Sequence, residues 1–157
     1  MLRRIGIVVA VVLVLIQFVR PARTNPPIDP TKTLRSTGRP AVEVTAILDR
    51  ACRDCHSSET RWPWYSHVAP VSWLVTRDVN VGRKELSFST WGDYDARRRA
   101  RKLEEICEQV RAGEMPQFPY PLMHPEARLT DRDTQVICGW TDRERAALAG
   151  ERRPEGP

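Results

Sequence analysis

Acidic residues are missing from the first 24 positions, where four arginines, Arg3, Arg4, Arg20 and Arg23, carry all the charge. Removing these four from the formal net charge of +5 leaves about +1 for the rest of the 157 residues, so the sequence pI near 9.4 belongs to the flanks of one segment. The balance therefore does not indicate nucleic-acid binding, which needs a basic face on the folded body. Period-two alternation of apolar and polar residues is absent over any useful length, which excludes a sheet-based fold. Internal repeats are absent too, and the length suits one domain. Long apolar runs are scarce. Only Ile5 to Val19 qualifies, 15 residues interrupted by Gly6 and Gln17. No cysteine stands near its end, which excludes a lipid-modified anchor there.

As a helix that run would be roughly 22 Å long at about 1.5 Å per residue, short of a hydrocarbon core of roughly 30 Å. Snorkelling by Arg3, Arg4 and Arg20, with local thinning of the bilayer, is the means by which it would still cross. The rival is a cleaved signal peptide, for which the best small-residue site, Ala22-Arg23-Thr24, is poor. The expectation is a single N-terminal transmembrane anchor over residues 1–20. The leading arginines place the N-terminus in the cytoplasm and the body on the outer side of a bacterial inner membrane, in the periplasm. Unprotected thiols oxidise there, so four cysteines should be paired or consumed by a cofactor.

Residues 21–39 are rich in proline and polar side chains and read as an extended linker. Residues 40–150 read as helices around one modest core, and 151–157 as a disordered tail. In PAVEVTAILDRAC, Val44, Ile47, Leu48 and Ala51 share a face, and this helix runs straight into Cys52. A second helix starting near Pro70 is expected to bury Val71, Leu74, Val75 and Val79 and to end around Gly82. A third, from about Asp95 to Ala112, is expected to bury Ala96, Ala100, Leu103, Cys107 and Val110, with Gly113 as its stop. Four prolines between 115 and 127 make MPQFPYPLMHPEA a shaped loop. Thr130, with Asp133 three positions on, caps a last helix whose Val136, Ile137 and Trp140 face inward. Thr141 or Asp142 is expected to restart a short final helix.

What is present is concentrated in ACRDCH, residues 51–56. Shuffling four Cys and three His over 157 positions produces C-x-x-C-H in roughly one or two chains per thousand. Cys52, Cys55 and His56 have three readings. Two thiols at this spacing can each add to a haem vinyl group, which delivers the next histidine to one axial face of the iron. A zinc site needs about four ligands in close pairs, and the remaining thiols, Cys107 and Cys138, stand 31 positions apart on separate expected helices. A redox dithiol expects a strand leading into the motif, and here a helix leads in. Haem also needs an apolar, aromatic shell, and Trp62, Trp64, Tyr65, Trp73, Phe88, Trp91, Phe118 and Tyr120 lie around the motif. Cys107 and Cys138 are left over, either paired across two helices or buried free.

Opposite His56, Met115 is the favoured sixth ligand, because in GEMP a stiff Met-Pro loop holds the thioether with little entropy to lose. Met123 and His124 follow on the same loop, and His67 has a bland surface reading. The basic run RRRARK, residues 97–102, reads first as the solvated face of the third helix. Its sharper reading is a docking patch for an acidic redox partner or anionic lipid.

The body resembles a c-type cytochrome. More narrowly, it is similar to the bacterial haem-binding domain family of membrane-tethered monohaem proteins. The stretches that carry this are LIQFVRP, NPP, ACRDCHSSETRWPWYSHVAPVSWLV, LSFSTWGDY, GEMPQFPYPLMHPEARLTDRD and Trp140, together most of residues 13–140. The resemblance implies an all-α, cytochrome c-like domain around one covalent haem c, proximal ligation by His56 and distal ligation by Met115. It implies nothing for Cys107 and Cys138 and names no substrate. The expected function is single-electron transfer with redox partner proteins at the membrane, without catalytic residues, nucleic acid or an evident small-molecule substrate. The alternative is a haem-based sensor or peroxidase-like enzyme with an open or displaceable sixth position.

Overall fold

The computed structural model describes residues 1–151, and most of the expected tail, 152–157, lies outside the described residues. Among the described residues eight α-helices occur, in chain order: α1 (Leu2–Leu15), α2 (Leu34–Thr37), α3 (Val42–Ala51), α4 (Arg53–His56), α5 (Val71–Glu85), α6 (Ala96–Arg111), α7 (Tyr120–Met123) and α8 (Asp131–Glu151). Short 3-10 turns join several of them, and no strand occurs among the described residues. The all-α expectation for the body therefore holds.

The expected transmembrane helix does not. α1 has 14 residues, which is about 21 Å at 1.5 Å per residue, and no helix among the described residues is long and apolar enough to cross a membrane. This overturns the single-pass anchor and with it the placement in the bacterial inner membrane. The apolar run is cut at Leu15, where the backbone tightens into a 3-10 turn over Ile16–Phe18. Gln17 then ties the end of the run to the body. Its amide donates to Ala69 O at 3.0 Å and its oxygen accepts from Ala69 N at 2.9 Å. The following residues stay on the body: Trp73 Nε1 donates to Val19 O at 2.8 Å, and Arg83 reaches Thr24 O and Asn25 Oδ1, each at 2.7 Å.

α3 buries Val44, Ile47, Leu48 and Ala51, the face that its three-and-four spacing predicts. Asp95 starts α6 by accepting from Arg98 N at 2.7 Å. α6 buries Lys102, Leu103, Ile106, Cys107 and Val110, while Ala96 and Ala100 are only half-buried. Its end is a Schellman cap: Gly113 at φ +69° lets Glu114 N bond Gln109 O at 3.0 Å and Gly113 N bond Val110 O at 3.3 Å. Thr130 and Asp133 bond reciprocally at the start of α8, with Thr130 N to Asp133 Oδ2 at 2.8 Å and Asp133 N to Thr130 Oγ1 at 3.1 Å. The expected break before Asp142 does not occur. The buried Thr141 hydroxyl donates to Cys138 O at 2.9 Å, within the helix, instead of capping a new one.

α5 departs from expectation in its facing. It buries Ser72, Thr76 and Val79, while Val71 and Leu74 are exposed. α6 and α8 make the most extensive helix pair, with α3 packed on α8, and Cys107 is bonded to Cys138 across α6 and α8. The core also takes in Leu34, Trp91 and Tyr94, the last two with ring centroids 5.5 Å apart.

Candidate functional site

α3 stops at Ala51 because Cys52, at φ −125°, leaves helical geometry. The chain re-enters a single turn, α4, in which His56 N bonds Cys52 O at 3.0 Å and Cys55 N bonds the same carbonyl at 3.3 Å. Both thiols and the imidazole thus ride on one turn. α5 presses against it at Gly82, where a Cβ would stand 2.7 Å from Cys55 O, so only glycine permits this approach. The close approach brings two backbone carbonyls to the histidine, one from Gly82 in α5 and one from Leu86 just past its end: His56 Nδ1 lies 3.0 Å from Gly82 O and 3.1 Å from Leu86 O. Carbonyls only accept, so Nδ1 carries the proton and Nε2 keeps its lone pair, the arrangement found in metal-bound imidazoles. Burial lowers the His56 pKa below its ordinary value, against the partial opposition of the two carbonyls, so the ring is neutral.

A cavity of ≈ 290 Å³ brings Cys52, His56 and Met115 together. Leu48, Leu86, Phe88, Ile106 and Val110 give it apolar walls, and Glu85, Lys102, Glu105 and Gln109 complete the lining. The Phe88 ring centroid lies 6.0 Å from that of His56. Met115 reaches the cavity because the Schellman cap of α6 turns the chain back, with Met115 N itself donating to Gln109 O at 3.3 Å. Cys55 is half-buried and is not part of this lining.

Cys52 and Cys55 are free thiols. Burial pushes Cys52 up to about 12, with Cys55 adding to the effect, and pushes Cys55 up to about 11. A redox dithiol needs the opposite, a stabilised thiolate. The zinc reading loses its second pair, since Cys107 and Cys138 are bonded to each other.

Met123 is exposed, and His67 lies on the surface. His124 is engaged elsewhere: its Nδ1 donates to Glu126 at 3.1 Å, its Nε2 accepts from the Tyr65 hydroxyl at 2.6 Å, and Tyr120 stacks on its ring at 4.2 Å. Of the aromatic residues expected around the site, only Phe88 lines the cavity; Trp91 is in the core, and Trp64 and Phe118 are exposed. The sequence reading overlooked Lys102, which is buried beside the cavity and paired with Glu105 at 2.5 Å. Its signal was the four-residue step to Ile106 and eight to Val110, hidden inside a run of arginines. Within that run Arg99 is also spent, on Gly92 O at 3.0 Å, and Arg98 covers the Tyr94 ring at 4.1 Å.

One neutral imidazole aimed by its other nitrogen, two protonated thiols on the same turn, a thioether and apolar walls form a donor set that fits haem. No curated protein matches this chain, and no solved structure matches it. The model of the haem-binding domain family matches residues 11–143, well over half of the 157. With that match, the chain belongs to the family of haem-binding domains.

Proposed function

We propose that this haem-binding protein is a monohaem c-type cytochrome carrying single electrons, with Cys52 and Cys55 attached to one haem and His56 and Met115 as its axial ligands. The observation that carries the reading is the shared cavity of Cys52, His56 and Met115, with His56 Nδ1 held by two carbonyls. Cys52 and Cys55 would hold the haem by thioether bonds to its two vinyl groups, each addition placing sulfur on one carbon and the thiol hydrogen on the other. The haem, when bound, takes up and releases one electron at its iron. Gly82 O and Leu86 O keep the His56 ring in one tautomer and one orientation. Leu48, Phe88, Ile106 and Val110 exclude water from the metal's surroundings. Met115 would hold the metal through its thioether, a ligand that raises the reduction potential. With His56 and Met115 both holding the metal, a substrate would have no place there, which supports a carrier over an enzyme. Arg97, Arg98 and Arg101 form an exposed basic edge on α6, the helix that bounds the cavity, and suit an acidic redox partner.

The test is the visible spectrum of the oxidised protein beside Met115→Ala, with a covalent haem stain on a denaturing gel. The wild type is expected to stain, to show a sulfur-to-iron charge-transfer band and to ignore carbon monoxide. The variant is expected to lose the band, bind carbon monoxide and fall in potential by on the order of 100 mV, within the ~0.8 V that axial ligation spans. Ready carbon monoxide binding by the wild type would move the reading to a sensor or peroxidase-like protein. A colourless chain with the mass of the bare polypeptide would end it.

A further inference from the structure

Three segments far apart in the chain meet at Arg83, in the last turn of α5. Its guanidinium donates four hydrogen bonds, each of 2.7 Å: Nε to Ser57 O, one terminal nitrogen to Thr24 O, and the other to Asn25 Oδ1 and Thr60 Oγ1. All four acceptors are neutral, so the planar fork of donors, rather than an opposite charge, fixes the group in place. The Thr60 hydroxyl passes its own proton on to Asp54 O at 2.6 Å, inside the single turn α4. Asn25 closes the circuit, its Nδ2 donating to Thr60 O at 3.0 Å. Ser57 and Thr60 are buried. The carbonyls that meet the His56 ring belong to Gly82, one position before Arg83, and Leu86, three after it.

We infer that Arg83 is the positioning residue for His56, and that through it Thr24 and Asn25 become part of the same site. The inference takes its purpose from the reading of His56 as a haem ligand, and its geometry from these hydrogen bonds alone. Two carbonyls aim an imidazole only while the backbone that carries the ring stays still relative to them. Asp54 O and Ser57 O stand on either side of His56 along the chain. Arg83 holds the second directly and the first through Thr60, from the same turn of α5 that supplies the Gly82 carbonyl. A lysine would keep the charge and lose the fork, since an ammonium is a single point that does not span Ser57, Thr24 and Asn25 together. A displacement of residues 24 and 25 is passed to the histidine by the same bonds.

Solvent exchange of the His56 Nδ1 proton, followed by NMR in the reduced full chain, is the test. The wild-type proton is expected to exchange slowly. Arg83→Lys and Arg83→Gln are both expected to speed exchange by about tenfold or more, the consequence of losing bonds to a charged group. Asn25→Ala, which takes away the Asn25 links to Arg83 and Thr60 and no charge, is expected to give a smaller acceleration. Asp133→Asn, which weakens the fold away from this network, is expected to leave the rate unchanged. Fast exchange in the wild type, a wild-type rate in Arg83→Lys, or equal acceleration by Asp133→Asn would overturn the positioning role. An unchanged rate in Asn25→Ala would remove the N-terminal segment from the site. Should the Arg83 variants fail to fold, Asn25→Ala against Asp133→Asn decides. The Nδ1 proton is present whether or not Nε2 holds a metal, so a chain that fails the haem stain ends the cytochrome reading and leaves this test standing.

Discussion

Gly82 holds the motif in place through what it lacks. A methyl group there would meet the Cys55 carbonyl at 2.7 Å, and that neighbour is backbone rather than a yielding side-chain tip. Gly82→Ala is therefore expected to push α5 off α4, lengthen both carbonyl contacts to His56 Nδ1 and cost about 1–3 kcal/mol. Urea unfolding measures the second effect, and the fraction of chain carrying haem measures the first. A variant with wild-type stability and full haem content would show that the close approach is not needed. His56 was plain in the sequence because it follows Cys55 directly. Gly82, 26 residues later, was visible only as a helix end, because nothing local says which backbone will come near it.

At the level of single helices, the start of α8 was legible and its length was not. Thr130 and Asp133 satisfy two early backbone donors reciprocally, which is a local event between residues three apart. Burial works to raise the Asp133 pKa, but the bond from Arg50, an ion pair at 2.7 Å, and the bonds from Thr130 outweigh it and hold it below the ordinary carboxylate value. A depressed carboxylate contributes stability that is complete above its unfolded value, near pH 4, and is lost as pH falls through the lower folded value. Asp133→Asn is accordingly expected to cost about 1 kcal/mol at pH 7, with the difference from wild type closing as the pH falls below about 4. Urea midpoints at the two pH values check it; a gap that persists in acid would place the effect outside this charge. Thr141, by contrast, has the chemistry of a cap and does not act as one. Its buried hydroxyl bonds Cys138 O instead, since the helix around it is already held against α6 by packing.

For the molecule as a whole, the bond between Cys107 and Cys138 ties together the two helices that make the largest pair. The loop it closes spans 31 residues, for which loss of unfolded-state freedom corresponds to about 3–4 kcal/mol. The double variant Cys107→Ser, Cys138→Ser should lower the unfolding free energy by that amount while leaving the His56 cavity's spectrum intact. An unchanged urea midpoint would mean that the packing of α6 on α8 suffices alone. The same pairing removes two thiols from any metal chemistry, leaving Cys52 and Cys55 as the free pair.

The sequence alone determined what is local: the run of helices, the face of α3, the stop at Gly113, the cap at Thr130 and the single turn that sets Cys52, Cys55 and His56 side by side. Spacings of three and four along one helix, and hydrogen bonds between near neighbours, need no knowledge of the rest of the chain. Tertiary structure decided what depends on competition between distant surfaces. Met115, rather than Met123 or His124, lines the cavity because the cap of α6 folds back toward α4, while His124 is held by Tyr65 and Glu126. Lys102 turns inward out of a basic run because it stands on the buried stripe of α6. α5 buries Ser72, Thr76 and Val79 rather than Val71 and Leu74, and its Gly82 passes so close to Cys55 O that no side chain fits there. The apolar N-terminal run ends at Leu15 as a helix too short to cross a membrane, its next residues bonded to Ala69 and Trp73, partners more than fifty positions away.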